Sequence, residues 1–228
     1  MDLEALNRQV IACRRCPRLV AWREAVAHEK RKAYSAWEYW GRPVPGFGDA
    51  RASILVVGLA PGAHGSNRTG RQFTGDASGR FLYPALFRAG FASQSESITR
   101  DDNLRLRGLY LSAACRCVPP GNKPSPAELA NCRPYLEQEI ELLCPRVIVC
   151  LGRIAFLEVL RVHALRPSDF AFGHGLRYRV PSGPETDPRW LLCSYHPSQQ
   201  NTLTGRLTAE MFDGVWHAAR ELAGDASF

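Results

Sequence analysis

Apolar and polar positions along this chain switch period several times, and each switch marks an element. Leu3, Leu6, Val10 and Cys13 recur at helical spacing behind Asp2, which predicts a capped N-terminal helix. Pro17 suits the first turn of a second helix, so residues 1–40 read as a helical segment. The tract AYSAWEYWGRPVPGFGD (33–49) mixes aromatics with Pro and Gly and reads as an irregular connection. A regular alternation follows. Short apolar runs at Ile54–Val57, Leu109–Ala113, Val147–Leu151 and Trp190–Ser194 predict buried strands, and Arg177–Val180 predicts a short one. Helical patterns lie between them at 79–89, ending at Gly90, and from the capping box Ser125-Pro126-Ala127-Glu128 to about Leu143. Further helices run from the third strand to Leu160 and over 208–222. Alternation of this kind predicts an α/β fold, a central mainly parallel sheet with helices on both faces, spanning residues 1–228 as one domain.

Such sheets bind ligands in the crevice beyond the carboxyl ends of the strands. The loops placed there are GLAPGAHGSNRTGRQFTGD (58–76), CRCVPPGNKP (115–124), LGR (151–153) and YHPSQQNTLTGR (195–206). The first is glycine-rich, yet it has neither the Gly-Lys-Ser/Thr of a phosphate loop nor the G-x-G-x-x-G of a dinucleotide site. Asn67, Arg68, Arg71 and Asp76 stand among its glycines as candidate functional groups. His196 sits at a strand's carboxyl end, and Ser198, Gln199, Asn201, Thr204 and Arg206 after it suit phosphate oxygens or base edges. His28, His163, His174 and His217 lack such a context and read as structural, with His64 intermediate.

Composition narrows the class. The chain has 228 residues, 45% hydrophobic and 22% charged, enough for a sizeable core. Its longest apolar stretch, Ile54–Ala60, is far short of the ~20 residues of a membrane helix, and the acidic N-terminus does not read as a secretory signal. A cytoplasmic protein is expected. Lys plus Arg is 29 against 22 for Asp plus Glu, a net charge of +7 that favours an acidic partner such as nucleic acid. The 8 cysteines are then expected as thiols. Cys150 and Cys193 fall inside apolar runs and read as core, as does Cys144. Cys13 and Cys16, set among arginines, do not. With Cys117 and Cys132 they form one close pair and two distant singles, a set that suits zinc or an iron–sulfur cluster, with Cys115 an alternative to Cys117.

Together these blocks resemble the iron–sulfur uracil-DNA glycosylases, most closely the type-five ("b") family. The resemblance rests on CRRCPRLV (13–20), the loop 58–76, CVPPGNKPSPAELANC (117–132) and SYHPSQQNTLTGRLT (194–208), in that order across nearly the whole chain. It implies that Cys13, Cys16, Cys117 and Cys132 hold a structural [4Fe-4S] cluster. Phe73 would stack on an extruded base, with Asp76, Asn122 and His196 as catalytic groups and Gly58, Ala60, Gly62, His64, Asn67 and Arg68 about the substrate. Ser198, Gln199, Asn201 and Arg206 would meet double-stranded DNA. A monomer is expected, since nothing in the sequence demands more. A monofunctional enzyme is expected too, since strand cleavage would need an amine nucleophile and the pocket loops hold no lysine except Lys123. DNA binding would associate it with the nucleoid. Sister families carry a carboxylate in the first loop or an Asn before the third ligand cysteine. Here those places read Ala60-Pro61-Gly62 and Ala113-Ala114, as in the type-five branch, which is broader in the bases it removes. Uracil is thus the expected base, with hypoxanthine a secondary one. Two rival readings remain at this level. A metal-dependent phosphate-handling hydrolase would want clustered carboxylates, and the loops offer only Asp76 and Glu128. A non-catalytic four-cysteine metal module that binds nucleic acid would leave the Asp76 and His196 loops without purpose.

Overall fold

The computed structural model describes residues 1–181 and 188–224. Its centre is a six-stranded sheet of β1 (Phe47–Gly48), β2 (Ile54–Gly58), β3 (Leu109–Ala113), β4 (Val147–Leu151), β5 (Arg177–Val180) and β6 (Arg189–Ser194). Their spatial order is β1-β3-β2-β4-β6-β5. The four middle strands are parallel, while β1 and β5 close the edges antiparallel. Every residue of β2, β3 and β4 is buried, as expected of strands covered on both faces.

Alternate residues of those strands serve opposite layers. Ile54, Val56, Leu109, Leu111, Val147 and Val149 face a core shared with α4 (Ala77–Arg88) and α8 (Ala209–Ala223). Trp216 of α8 is wholly buried there. Leu55, Val57, Tyr110, Ile148 and Cys150 face the other core, shared with α5 (Pro126–Leu143) and α6 (Arg153–Val162). Truncating a ring in either layer, for example Phe156→Ala, would cost about 3–5 kcal/mol. The expected helix–sheet–helix sandwich is therefore the observed one.

The N-terminal part departs from a helical segment reaching residue 40. α1 (Leu3–Ala12) starts on the Asp2 cap and α2 (Pro17–Glu29) on Pro17, as the pattern predicts. Beyond them Lys30 takes φ 54°, ψ 164°, which ends the helix, and only a single 3₁₀ turn follows at Lys32–Tyr34. Tyr34 and Trp37, nearly perpendicular to each other, instead both contact the Arg68 guanidinium at 4.1 and 4.0 Å, so these aromatics hold a cation and form no helix face. The remaining helices are short, α3 (Ser66–Thr69) inside the glycine-rich loop and α7 (Gln199–Leu203) after His196. The Ser125 capping box is present, with Ser125 N–H donating to Glu128 Oε2 at 2.7 Å. Arg18 grips the same carboxylate through Nε and Nη2 at 2.8 and 2.6 Å, tying α2 to the start of α5. None of the described helices is long and apolar enough to cross a membrane.

Candidate active site

The carboxyl ends of β2, β3 and β6 open on one cleft of about 720 Å³. Gly58, Ala60, Gly62, His64, Phe73, Asp76, Ala113, Asn122, His196, Ser198 and Gln199 all line it. Three chain segments thus converge at one edge of the sheet, where an α/β fold binds its ligands.

The loop after β2 is built around two side chains that need glycine neighbours. Phe73 lies against Gly58, where a Cβ would come within 2.6 Å of its Cζ. Its backbone sits at φ 53°, a conformation unfavourable for a bulky residue by roughly 1–3 kcal/mol. The flanking bonds enforce it. Tyr83 Oη donates to the Gln72 carbonyl at 2.8 Å, Gln72 Nε2 donates to the Val44 carbonyl, and Arg71 Nε donates to Thr74 Oγ1 at 2.9 Å. Arg71 is anchored in turn to Asp102 at 2.7 Å. The ring is therefore fixed before any ligand arrives, at 6.1 Å from the His196 ring and inclined 33° to it.

Asp76 caps α4, its Oδ1 accepting from the Gly79 N–H at 3.0 Å. Its Oδ2 fills the space that side chains at Gly62 and Gly65 would take, 2.9 and 2.1 Å from where a Cβ would stand on each. Burial pushes this carboxyl above the usual aspartate value, against the opposing pull of the Gly79 bond and of Arg80. His196 is held by its backbone, the carbonyl accepting from Asn201 Nδ2 at 2.9 Å, and Gly152 at φ 96° leaves room for its Cβ. Burial pushes the imidazole down to about 4, so it is neutral at physiological pH. Among the described residues neither ring nitrogen has a hydrogen-bond partner, nor does the side chain of exposed Asn122, which stands at φ 58°. His64 differs, its Nδ1 hydrogen-bonded to Tyr39 Oη at 3.1 Å.

The cysteines converge elsewhere. Cys13 ends α1, Cys16 caps α2, Cys117 follows β3 and Cys132 lies in α5, yet all four line one recess. Cys115 is not among its lining residues. Its thiol donates to the Cys117 carbonyl at 3.3 Å and hydrogen-bonds Cys132, placing it behind the recess. Among the described residues no group of three or more His, Cys, Asp or Glu is closed around a metal position. The donor chemistry nevertheless suits an iron–sulfur cluster, with four thiols and no carboxylate on the lining, and buried N–H groups of Arg23 and Arg116 left without partners.

A sequence profile of the Uracil DNA glycosylase superfamily matches residues 45–220. The chain belongs to that superfamily. It is 58% identical over 225 residues to the type-5 uracil-DNA glycosylase of Thermus thermophilus, covering 98% of this chain and 100% of the relative. It is 44% identical to the type-5 enzyme of Pyrobaculum aerophilum, covering 96% and 92%. The type-4 uracil-DNA glycosylase of Archaeoglobus fulgidus is 29% identical over 203 residues, covering 86% and 82%.

Within this uracil-DNA glycosylase fold, two expected substrate contacts lie elsewhere. Asn67 is fully buried and donates to the Arg23 carbonyl at 3.3 Å. Arg68 donates to the carbonyls of His64 and Gly75 at 2.7 and 3.1 Å while its guanidinium lies against the rings of Tyr34 and Trp37. Both brace the loop from behind, because their polar atoms turn toward backbone carbonyls and away from the cleft. Asn201 serves His196, and Arg206 rests 4.6 Å over the Tyr195 ring at the exposed rim. Sequence reasoning missed Arg31, Arg80 and Gln200, which also line the cleft, and Leu203, which is 77% exposed at the end of α7. A lone leucine in the polar run SQQNTLTGR was the available signal.

Proposed function

We propose that this chain is a monofunctional DNA glycosylase that extrudes uracil from double-stranded DNA and hydrolyses its N-glycosidic bond. The cleft itself carries the reading, since it unites a pre-fixed aromatic face, a neutral imidazole without hydrogen-bond partners among the described residues and a desolvated carboxylate. Extrusion costs a few kcal/mol, least at a mismatch such as U·G. Phe73 offsets part of that by stacking, about 1–3 kcal/mol for any base. Leu203, exposed on the loop after His196, is suited to fill the vacated place in the stack.

Bond cleavage leaves negative charge on the departing base and positive charge on the sugar. A neutral His196 can donate an N–H to the base oxygen as the anion forms, the logic of an oxyanion hole. Asp76 is placed to orient water or to offset the sugar cation, as carboxylates do in glycoside cleavage. Asn122, whose side chain has no partner among the described residues, serves the base edge or the water. The apolar residues Ala60 and Ala113 on the lining impose no hydrogen-bond pattern, which supports hypoxanthine as a second substrate. Strand cleavage would need an amine nucleophile, and among the described residues no lysine lines the cleft.

Cys13, Cys16, Cys117 and Cys132 would hold a [4Fe-4S] cluster, which when bound would crosslink α1, α2, the loop after β3 and α5. The recess lining favours Cys117 over Cys115 as the ligand. The decisive assay uses an end-labelled duplex with one U·G pair, no added metal, and hot alkali afterwards. Breakage at the uracil only after alkali supports base excision. An intact strand, with iron-loaded folded protein, would overturn it for this base.

A further inference from the structure

Arg23 is the most unusual charge in the molecule. It lies on α2, is only 2% exposed, and lines the cysteine recess. Its Nη1 donates to Cys117 Sγ at 3.0 Å, and Nη1 and Nη2 donate to the Cys13 carbonyl at 3.3 Å. Its Nε is buried with no hydrogen-bond partner among the described residues. Burying an isolated guanidinium is costly, so a compensating anion is expected close by. The nearest carboxylate is Glu24 at 3.9 Å, but it is 46% exposed and already engaged by Arg14 at 2.6 Å. The second buried arginine of the recess, Arg116, is different. Its charge is met by the fully buried Glu139, which also accepts from the Ser112 hydroxyl at 2.6 Å. A third lining arginine, Arg15, is exposed and lies 5.2 Å over the Tyr135 ring. Among the described residues Arg23 is therefore the buried cation of the recess that no buried carboxylate offsets, and it bonds directly to a ligand sulfur.

We infer that Arg23 is the built-in counter-charge of the [4Fe-4S] cluster and sets its reduction potential, an inference that rests on the cluster reading above. A cluster on four thiolates is net negative and gains a further negative charge on taking up an electron. Hydrogen bonds to its sulfurs and nearby charge tune that step. A cation held in a dry recess favours the more negative state, so Arg23 raises the potential. The sign is the same for either one-electron couple of the cluster. Arg116, neutralised by Glu139, contributes donors with little net field.

The test uses iron-loaded full-length protein and reads potential by spectroelectrochemistry, with iron content measured alongside. Arg23→Gln should keep the side-chain volume but lower the potential by at least the equivalent of a tenfold shift in the oxidised-to-reduced ratio, about 59 mV. Arg23→Lys, which retains the charge, should shift that ratio less than Arg23→Gln does. An iron-loaded Arg23→Gln protein with unchanged potential would overturn the inference. Should that variant fail to keep iron, the wild-type protein provides a second reading. With arginine ¹⁵N-labelled in its guanidinium alone, pulsed EPR of the reduced cluster should show a nitrogen coupling that Arg23→Lys removes, and a wild-type spectrum without it would equally overturn the inference. A wild-type protein with no iron at all would instead overturn the cluster reading itself.

Discussion

The cleft and the cysteine recess stand a few residues apart in sequence, joined by the loop after β3, yet they treat polar groups in opposite ways. In the cleft, Asn122 and the His196 ring are left without protein partners among the described residues, and Asp76 Oδ2 occupies the space that side chains at Gly62 and Gly65 would take. In the recess the thiols already have donors aimed at them. Arg23 meets Cys117, and Asn131 Nδ2 donates to Cys16 at 3.4 Å. The first region holds its functional groups ready for something that comes and goes, at the cost of strain at Phe73 and desolvation at Asp76. The second is provisioned for something that stays. Substitutions in the cleft should therefore remove turnover and spare the fold, whereas those in the recess should do the reverse.

The largest expected effect is in the recess. Cys132→Ala should lose the bulk of its iron and its brown absorbance, and the α1–α2 segment should become sensitive to limited proteolysis. Cys115→Ala should keep its iron, because Cys115 stands behind the recess; if it loses iron as Cys117→Ala does, the division between ligand and support is misdrawn. In the cleft, Gly65→Ala would put a Cβ 2.1 Å from Asp76 Oδ2 and displace the carboxylate. Excision should fall about 10²-fold, the cost of a misplacement near 1 Å, while stability falls only by what the disturbed Asp76 cap of α4 contributes, about 1 kcal/mol. Leu203→Ala should weaken excision from duplex DNA about tenfold, ~1.4 kcal/mol, and leave single-stranded substrate unaffected. Equal losses on both substrates would argue against a wedge.

A pH series gives the smallest and most specific signal. Asp76 is raised, so the folded chain holds this proton more tightly than the unfolded chain does. Its contribution to stability is thus fully present below the ordinary aspartate value and is lost as pH rises through the raised one. Asp76→Asn, which can still cap α4, should remove that loss and be more stable than wild type at neutral pH, and no more stable in acid. Activity runs the other way. It requires the ionised carboxylate, so the acid limb of turnover should lie above the ordinary aspartate value and vanish in the Asn variant. His196, neutral down to about 4, should contribute nothing to that limb.

Much of this architecture was legible in the residues. The β-branched and leucine runs at Ile54, Leu109 and Val147 could only be strands covered on both faces, and the Ser125–Glu128 box marked the start of α5 to the residue. The site was legible as loops that share a sheet edge. Side-chain direction was not. Asn67 and Arg68 are the right residue types in the right loop, but they turn inward, because the backbone carbonyls of Arg23, His64 and Gly75 need donors more than the cleft does. The two-residue strand β1 was hidden in an aromatic tract with no periodicity, since pairing of Phe47 with Leu111 across strands leaves no local trace.

The central claim is that one cleft performs the chemistry through His196 and Asp76. Single-turnover excision of uracil from a U·G duplex, at saturating enzyme, tests it most directly when wild type is compared with His196→Gln and Asp76→Asn. Each variant should bind the duplex as wild type does and excise at least about 10²-fold more slowly, the usual cost of removing one such electrostatic contact. Wild-type rates in both variants, with the proteins folded and iron-loaded, would contradict it.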